Sequence, residues 1–346
     1  MYKAVSKFIE MVQIDSPSGH EQGMIEYVKN WLNKLGLGFQ VDSAGNILAK
    51  KIENSPPILF CAHMDTVEPG KNIKPFIKND IIKSSGKTIL GADNKAAIAA
   101  LMAAVEESPN SKSFELLFTV DEENGNGLSK FPFDWIKSKI GFTFDSIKPI
   151  GSIILRSPYI CLFEVEFSGK ASHSSTPEKG TNALIPAINA LSEVKIGKLN
   201  NGETTINVGL INGGTGINII PDKFTLKGEI RSYQKNLFEK HIEKIKFIFK
   251  KGLLTFSGFA PGYSHKISSD LVKQVIQMYK SLDLNPTPFT YSAVSDANIL
   301  NSKGIKTINL GDGVKNAHTV KEYIAVNNLL NLQKVIFYLL RKNLWG

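Results

Sequence analysis

The 346-residue sequence predicts an α/β protein, a mostly parallel sheet with helices on both faces, interrupted by a small inserted α+β domain. Two observations carry that prediction. Up to residue 158, short apolar runs alternate with helical segments, as a sheet covered by helices requires. From Tyr159 the strand-like runs lengthen and alternate apolar with polar positions, the pattern of a sheet with one exposed face. Near Pro261-Gly262 the first pattern resumes and runs to the end. The expected organisation is a discontinuous domain, residues 1–158 and 263–346, with residues 159–262 inserted between its halves. With 42% apolar residues, the chain can bury a substantial core, and two domains are expected.

Each element has its own signal. Val5, Phe8, Ile9 and Val12 fall at i, i+3, i+4 and i+7, so the N-terminal segment is an amphipathic helix with its charges on the other face. Residues 57–61 (PILFC) form a short apolar run, read as a buried parallel strand, that empties into His63-Met64-Asp65. The alanine-rich stretch from Asp93 to Glu107 favours helix. Residues 114–120 (FELLFTV) and 140–144 (IGFTF) are further buried runs, leading to Asp121-Glu122-Glu123 and to Asp145. In the insertion, residues 160–169, 204–213 and 224–232 alternate as strands, with helices near 182–194 and 236–250. Residues 307–310 (TINL) are the last buried run; after Gly311-Asp312-Gly313 the chain reaches Ala317-His318-Thr319.

Five potential metal ligands thus follow apolar runs or open a helix: His63, Asp93, Glu123, Asp145 and His318, with a second carboxylate, Glu122, beside one of them. In open α/β sheets the ligand crevice lies outside the carboxyl ends of the strands, so these residues can converge without unusual backbone. A Glu-Glu pair is ordinarily a solvated feature and a lone His a structural residue. Five coincidences in one chain are instead the parts list of a two-metal hydrolase. His63-Met64-Asp65 adds a specific device, since the Asp65 carboxylate can hold the far ring nitrogen and fix the His63 tautomer.

Composition excludes other classes. The net charge is +9, but only three of the 41 basic residues are Arg, namely Arg156, Arg231 and Arg341. The lysines are scattered without the aromatic interleaving of a basic groove, so no nucleic-acid partner is expected. Cys61 and Cys161 both sit in apolar runs and read as buried thiols rather than a disulfide framework. No run approaches the ~18 apolar residues of a membrane span, and the N-terminus lacks the long apolar core of a leader, so a soluble cytoplasmic protein with no membrane partner is expected. His20, His241 and His265 lack a ligand-like context. Gly213-Gly214-Thr215-Gly216 lacks the following Lys-Ser/Thr of a phosphate loop and reads as a turn.

The segments CAHMDTVEPG (61–70), ILGADNKAA (89–97), GKASHSSTPEKGTNAL (169–184), INGGTGINII (211–220), GEIRS (228–232) and SDANIL (295–300), with DEEN, FDS and AHT between them, resemble the di-zinc exopeptidase and deacylase family. That family includes peptidase T, the glutamate carboxypeptidases, and the acetylornithine and succinyl-diaminopimelate deacylases, and the resemblance is to its peptidase T-like branch. It spans nearly the whole chain. The chain departs from the branch at Asn94, at Tyr291–Ser295 before the SDAN segment, and at Asn124–Leu128.

The resemblance implies roles residue by residue. His63 and Asp145 would hold one zinc and Glu123 and His318 the other, with Asp93 bridging both. Glu122 would be the general base and Asp65 the partner of His63. His173, in an inserted lid and dimerisation domain, would polarise the scissile carbonyl, and Asn218 and Arg231 would contact the carboxylate end of the substrate. Three carboxylates and two neutral imidazoles set about −3 against +4 for two Zn2+ ions, leaving about +1 to stabilise a bound hydroxide. Co2+ or Mn2+ are expected substitutes. Two chain passages at one boundary would also form a hinge that lets His173 approach the metals.

The expected activity is therefore zinc-dependent exopeptidase action on short peptides, of aminopeptidase or tripeptidase type, by a homodimer formed through the inserted domain. Deacylation of an N-acyl amino acid uses the same amide hydrolysis and is the alternative. A catalytically dead binding protein on the scaffold would have lost a ligand or the base, and neither is missing.

Overall fold

The computed structural model describes residues 2–342. The chain divides into two compact units, one running to Leu155 and resuming at His265, the other comprising Arg156–Ser264.

The first unit is built on a mixed sheet with a parallel centre. The strands Phe114–Thr119, Ile58–His63, Ile140–Thr143 and Lys306–Leu310 lie side by side in that order and point the same way. They are the four apolar runs of the sequence, shifted by a residue or two at their ends. Ile47–Lys51 and then Gly38–Val41 add antiparallel strands on one side, and Ser152–Ser157 adds one on the other. Gly38–Val41 is mostly exposed, so it left no apolar run to read.

Successive strand residues point to opposite faces, so each central strand feeds two cores. Phe60, Leu116, Phe118 and Phe142 pack with Phe8, Val28, Val275 and Leu332 on one face. Leu59, Cys61 and Leu117 meet Leu128, Phe131 and Leu300 on the other. Each such side chain contributes about 1.5–3 kcal/mol on burial, which is why these strands read as continuous apolar runs rather than alternating ones. The helix Ala92–Glu106 is buried along nearly its whole length between Lys3–Val12 and Val326–Arg341. Its alanines make that possible, because Ala96, Ala100 and Ala103 let neighbouring helices approach closely. A three-stranded antiparallel sheet of Pro75–Lys78, Ile81–Ser84 and Tyr323–Ala325 completes the unit.

The second unit is a five-stranded antiparallel sheet in the order Gly197–Leu199, Thr204–Gly213, Lys223–Ser232, Tyr159–Ser168, Leu253–Ala260. Period-2 alternation sends Cys161, Phe163, Val165 and Phe167 inward with Leu226 and Ile230, while Leu162 faces out. The helices Leu184–Glu193 and Lys235–Ile248 cover the inner face through Ala187, Phe238 and Ile245. Leu253–Ala260, whose residues are mostly exposed, is an edge strand the sequence pattern does not predict. Among the described residues no helix is long and apolar enough to cross a membrane.

Candidate metal centre

Parallel register brings the first candidate ligands together. His63 ends its strand opposite Thr119, and Cys61 lies opposite both Leu117 and Thr143, so the chain leaves three neighbouring strands at one edge of the sheet. Glu122 and Glu123 follow Thr119, and Asp145 follows Thr143. Lys306–Leu310, beside Ile140–Thr143, supplies Asn309, which accepts the Asp145 amide at 2.9 Å and donates to the Asp145 carbonyl at 2.6 Å. That reciprocal pair fixes the Asp145 main chain.

Asp93 opens the alanine helix in a non-helical conformation, after Gly91 in the left-handed region at φ 71°. Its carboxylate stands between two imidazoles: Oδ1 is 3.3 Å from His63 Nε2, and Oδ2 is 3.3 Å from His318 Nε2. His318 Nε2 is also 2.9 Å from Glu123 Oε1. That approach lacks hydrogen-bond geometry, which leaves Glu123 Oε1 a buried acceptor without a donor. Two donor sets result. His63, Glu122 and Asp145 present ligand atoms within 4.8 Å of one another, and Asp93, Glu123 and His318 do the same.

Asp65 faces His63 with two acceptors. The closer partner of His63 Nδ1 is the Asp65 main-chain carbonyl at 3.0 Å, with carboxylate Oδ1 at 3.3 Å. An Nδ1–H donated to Asp65 leaves Nε2 free for a metal. The Asp65 carboxylate also accepts the amides of Glu122 and Glu123, each at 3.1 Å, and the Ser18 hydroxyl at 2.7 Å. It therefore positions the Glu pair as well as the imidazole.

The carboxylates are mutually unfavourable in the protein alone. Burial, then Asp145, raises the Glu122 carboxyl well above the usual range, and burial, then Asp93, does the same to Asp145. The flanking carboxylates Asp93 and Glu123 raise His318 to about 10. Burial opposes the charged form of Asp93, yet His318 and His63 hold its pKa below the usual range. A crowded set of carboxylates and imidazoles, with a buried Glu123 oxygen that accepts no hydrogen bond, suits a pair of divalent cations, whose charge would relieve the repulsion.

The remaining expected residues lie in the other unit. His173 is exposed, with Nδ1 2.6 Å from Ser175 Oγ and accepting the Ser175 amide at 3.2 Å. Its segment pairs with that of Asn218, since the Ser174 amide donates to the Asn218 carbonyl at 2.9 Å. Arg231 donates to both carboxylate oxygens of Glu229, at 3.0 and 2.9 Å. Among the other histidines, His265 Nε2 is 2.9 Å from the Thr307 carbonyl and His241 Nε2 is 2.9 Å from Asn200 Oδ1, structural contacts both.

Sequence reasoning missed three supports of the site. Asn309 holds the Asp145 main chain. Asp296, in the SDAN segment, is buried and accepts the Thr119 hydroxyl at 2.6 Å, just before the Glu pair. Glu322 accepts main-chain amides around Asp93. Only its place four residues after His318 hinted at a role.

The profile of the peptidase dimerisation domain matches residues 159–256. An uncharacterised protein of Bacillus subtilis, YqjE, is 30% identical over 358 aligned positions, covering 96% of each chain. Among solved structures, the aminopeptidase PepT of Bacillus cereus superposes with a TM-score of 0.91 at 29% identity, covering 98% of this chain and 97% of its own. A tripeptidase of Staphylococcus aureus superposes with a TM-score of 0.91 at 28% identity and the same coverage.

Proposed function

The chain belongs to the M20 family of metallopeptidases and is a metal-dependent exopeptidase, and on that premise we propose that it trims short peptides with two zinc ions and Glu122 as general base. The observation that carries the reading is the Asp93 carboxylate, one oxygen 3.3 Å from each of two imidazole nitrogens. In this reading His63 and Asp145 would hold one ion and Glu123 and His318 the other, with Asp93 available to both. When bound, the ions would supply Lewis acidity for the scissile carbonyl and acidify the attacking water.

The chain's own groups do the rest. Water adds to the carbonyl carbon, the C–N bond breaks, and one proton must travel from the water to the leaving nitrogen. Glu122 is the carrier. Burial and the neighbouring Asp145 keep its proton affinity high. Its amide is pinned by Asp65, so the carboxylate has a defined origin. His173 is the candidate donor to the carbonyl oxygen: the Ser175 amide donates to Nδ1, which places the ring proton on Nε2. Asn218 and Arg231 are proposed to receive the substrate's carboxylate end, for which Arg231 must exchange Glu229 for substrate. The match to a dimerisation domain supports a homodimer assembled through residues 159–256, to be checked by light scattering. Two buried free thiols suit a reducing cytoplasmic setting.

The test is to incubate zinc-loaded wild type and Glu122→Gln with a pool of di- and tripeptides, N-acetyl amino acids and N-succinyl amino acids, read by mass spectrometry. Peptide loss with wild type alone supports the proposal and identifies the trimmed end. Loss of acyl amino acids alone, or no turnover by zinc-replete protein, overturns it.

A further inference from the structure

Glu322 is a buried carboxylate with no part in the proposed reaction. Four consecutive main-chain N–H groups converge on it. Leu90 and Gly91 donate to Oε2 at 2.7 and 2.8 Å, and Ala92 and Asp93 donate to Oε1 at 2.9 and 3.1 Å. The amides that open a helix have no partner within the helix, and here the turn is further irregular, with Gly91 left-handed and Asp93 and Asn94 outside helical values. Both oxygens of one carboxylate satisfy the group.

The segment that carries Glu322 also carries His318. Lys315 and Tyr323 exchange main-chain hydrogen bonds at 2.9 and 3.0 Å, and the Glu322 amide donates to the Thr319 carbonyl at 3.0 Å. One closed loop, residues 315–323, thus holds Asp93 twice, at its amide through Glu322 and at its carboxylate beside His318. From this juxtaposition we propose that Glu322 is a positioning residue for Asp93, seating its backbone so that the two-metal site is already formed before metal arrives. The inference rests on the reading of Asp93 as the shared ligand.

A glutamine at position 322 keeps the size but turns an N–H2 group toward amides that need an acceptor. Glu322→Gln should weaken zinc binding by about 10- to 100-fold, the usual cost of losing a ligand's supporting partner. Turnover should fall at limiting zinc and recover with excess zinc, while KM for peptide changes little. Glu115→Gln is the control, because Glu115 is also buried and accepts main-chain amides, from Lys137 and Ser138 at 3.0 and 2.8 Å, at the opposite end of its strand. It should lower Tm and leave zinc affinity unchanged. Chelator-competition titration of folded protein reads the affinities. A Glu322→Gln variant that loses Tm yet binds zinc like wild type overturns the proposal.

Wild type offers a second measurement if that variant does not fold. In metal-free protein the amides of Leu90–Asp93 should already resist hydrogen exchange. Amides that exchange freely until zinc is added would overturn the proposal. A wild type that binds zinc but cleaves no peptide defeats the proposed function alone, and one that binds no divalent metal defeats both.

Discussion

Asp65 accepts the main-chain amide of Glu122 at 3.1 Å, although the two are separated by 57 positions in sequence. Its carbonyl and carboxylate also face His63 Nδ1. One buried residue therefore orients His63 and the Glu122 main chain together.

Asp65→Asn should weaken metal binding by about 10- to 100-fold and reduce turnover even at saturating metal. The loss has two sources, a less well held His63 and a displaced Glu122–Glu123 turn. Zinc titration together with kcat at saturation separates them. Unchanged kcat in metal-saturated variant would refute the second.

Glu122→Gln should retain both metals while kcat falls by about 10²- to 10⁴-fold, the scale of a lost general base. The point is not trivial, because Glu122 lies within 4.8 Å of the His63 and Asp145 donor atoms. Loss of one metal per chain, measured by atomic emission, would make it a ligand instead.

His173→Ala should lower kcat by about 10²- to 10³-fold, as for removal of one donor to a developing oxyanion. Metal content and Tm should not change, since the ring is exposed and its hydrogen-bonding partner is the neighbouring Ser175. Full activity in this variant would remove His173 from the mechanism.

Metal-free protein should lose stability as pH rises. Glu122 and Asp145 are raised by burial and by neighbouring carboxylates, so the fold binds their protons more tightly than the unfolded chain. Stability from such groups is present below the unfolded pKa and is lost as pH climbs through the folded one. Glu322, raised by burial from 4.5 to about 7, acts in the same sense across that interval. His318, raised from 6.5 to about 10 by Asp93 and Glu123, extends the loss into alkali. Asp93, which two imidazoles hold low against burial, has the opposite sign and acts only at more acidic pH. Lys95, held down to about 7 by burial, acts in the opposite sense above neutrality. Tm of metal-free protein should therefore fall between about pH 5 and about pH 7, and zinc should flatten the profile by offsetting the repulsion. A metal-free Tm that rises over this range contradicts the cluster.

Gly127→Ala should impair the site without altering any functional side chain. A Cβ on Gly127 would collide with the Val120 carbonyl oxygen, just before the Glu pair. The turn must shift, at a cost of about 1–3 kcal/mol. Thermal denaturation and kcat should both register it.

Much of this was legible in the sequence, for identifiable reasons. A parallel strand buried on both faces must be apolar throughout, so residues 57–61, 114–120, 140–144 and 307–310 announced themselves. Three of the proposed ligands, His63, Glu123 and Asp145, stand at or just beyond the ends of those runs, where chain order places them outside the sheet. The change to alternating patterns at Tyr159 likewise follows from a sheet with one wet face. Gly38–Val41 and Leu253–Ala260, by contrast, are exposed edge strands, and an edge strand needs no apolar run.

Sequence by itself determined the residue types, their order and the faces they must bury. Tertiary structure alone decided which backbone groups those residues would hold. Glu322 meets the Leu90 amide across 232 positions, and Asn309 meets Asp145 across 164. Hydrogen-bond acceptors carry no periodicity that betrays a distant partner, whereas apolar side chains must repeat with the geometry of their element to reach a core.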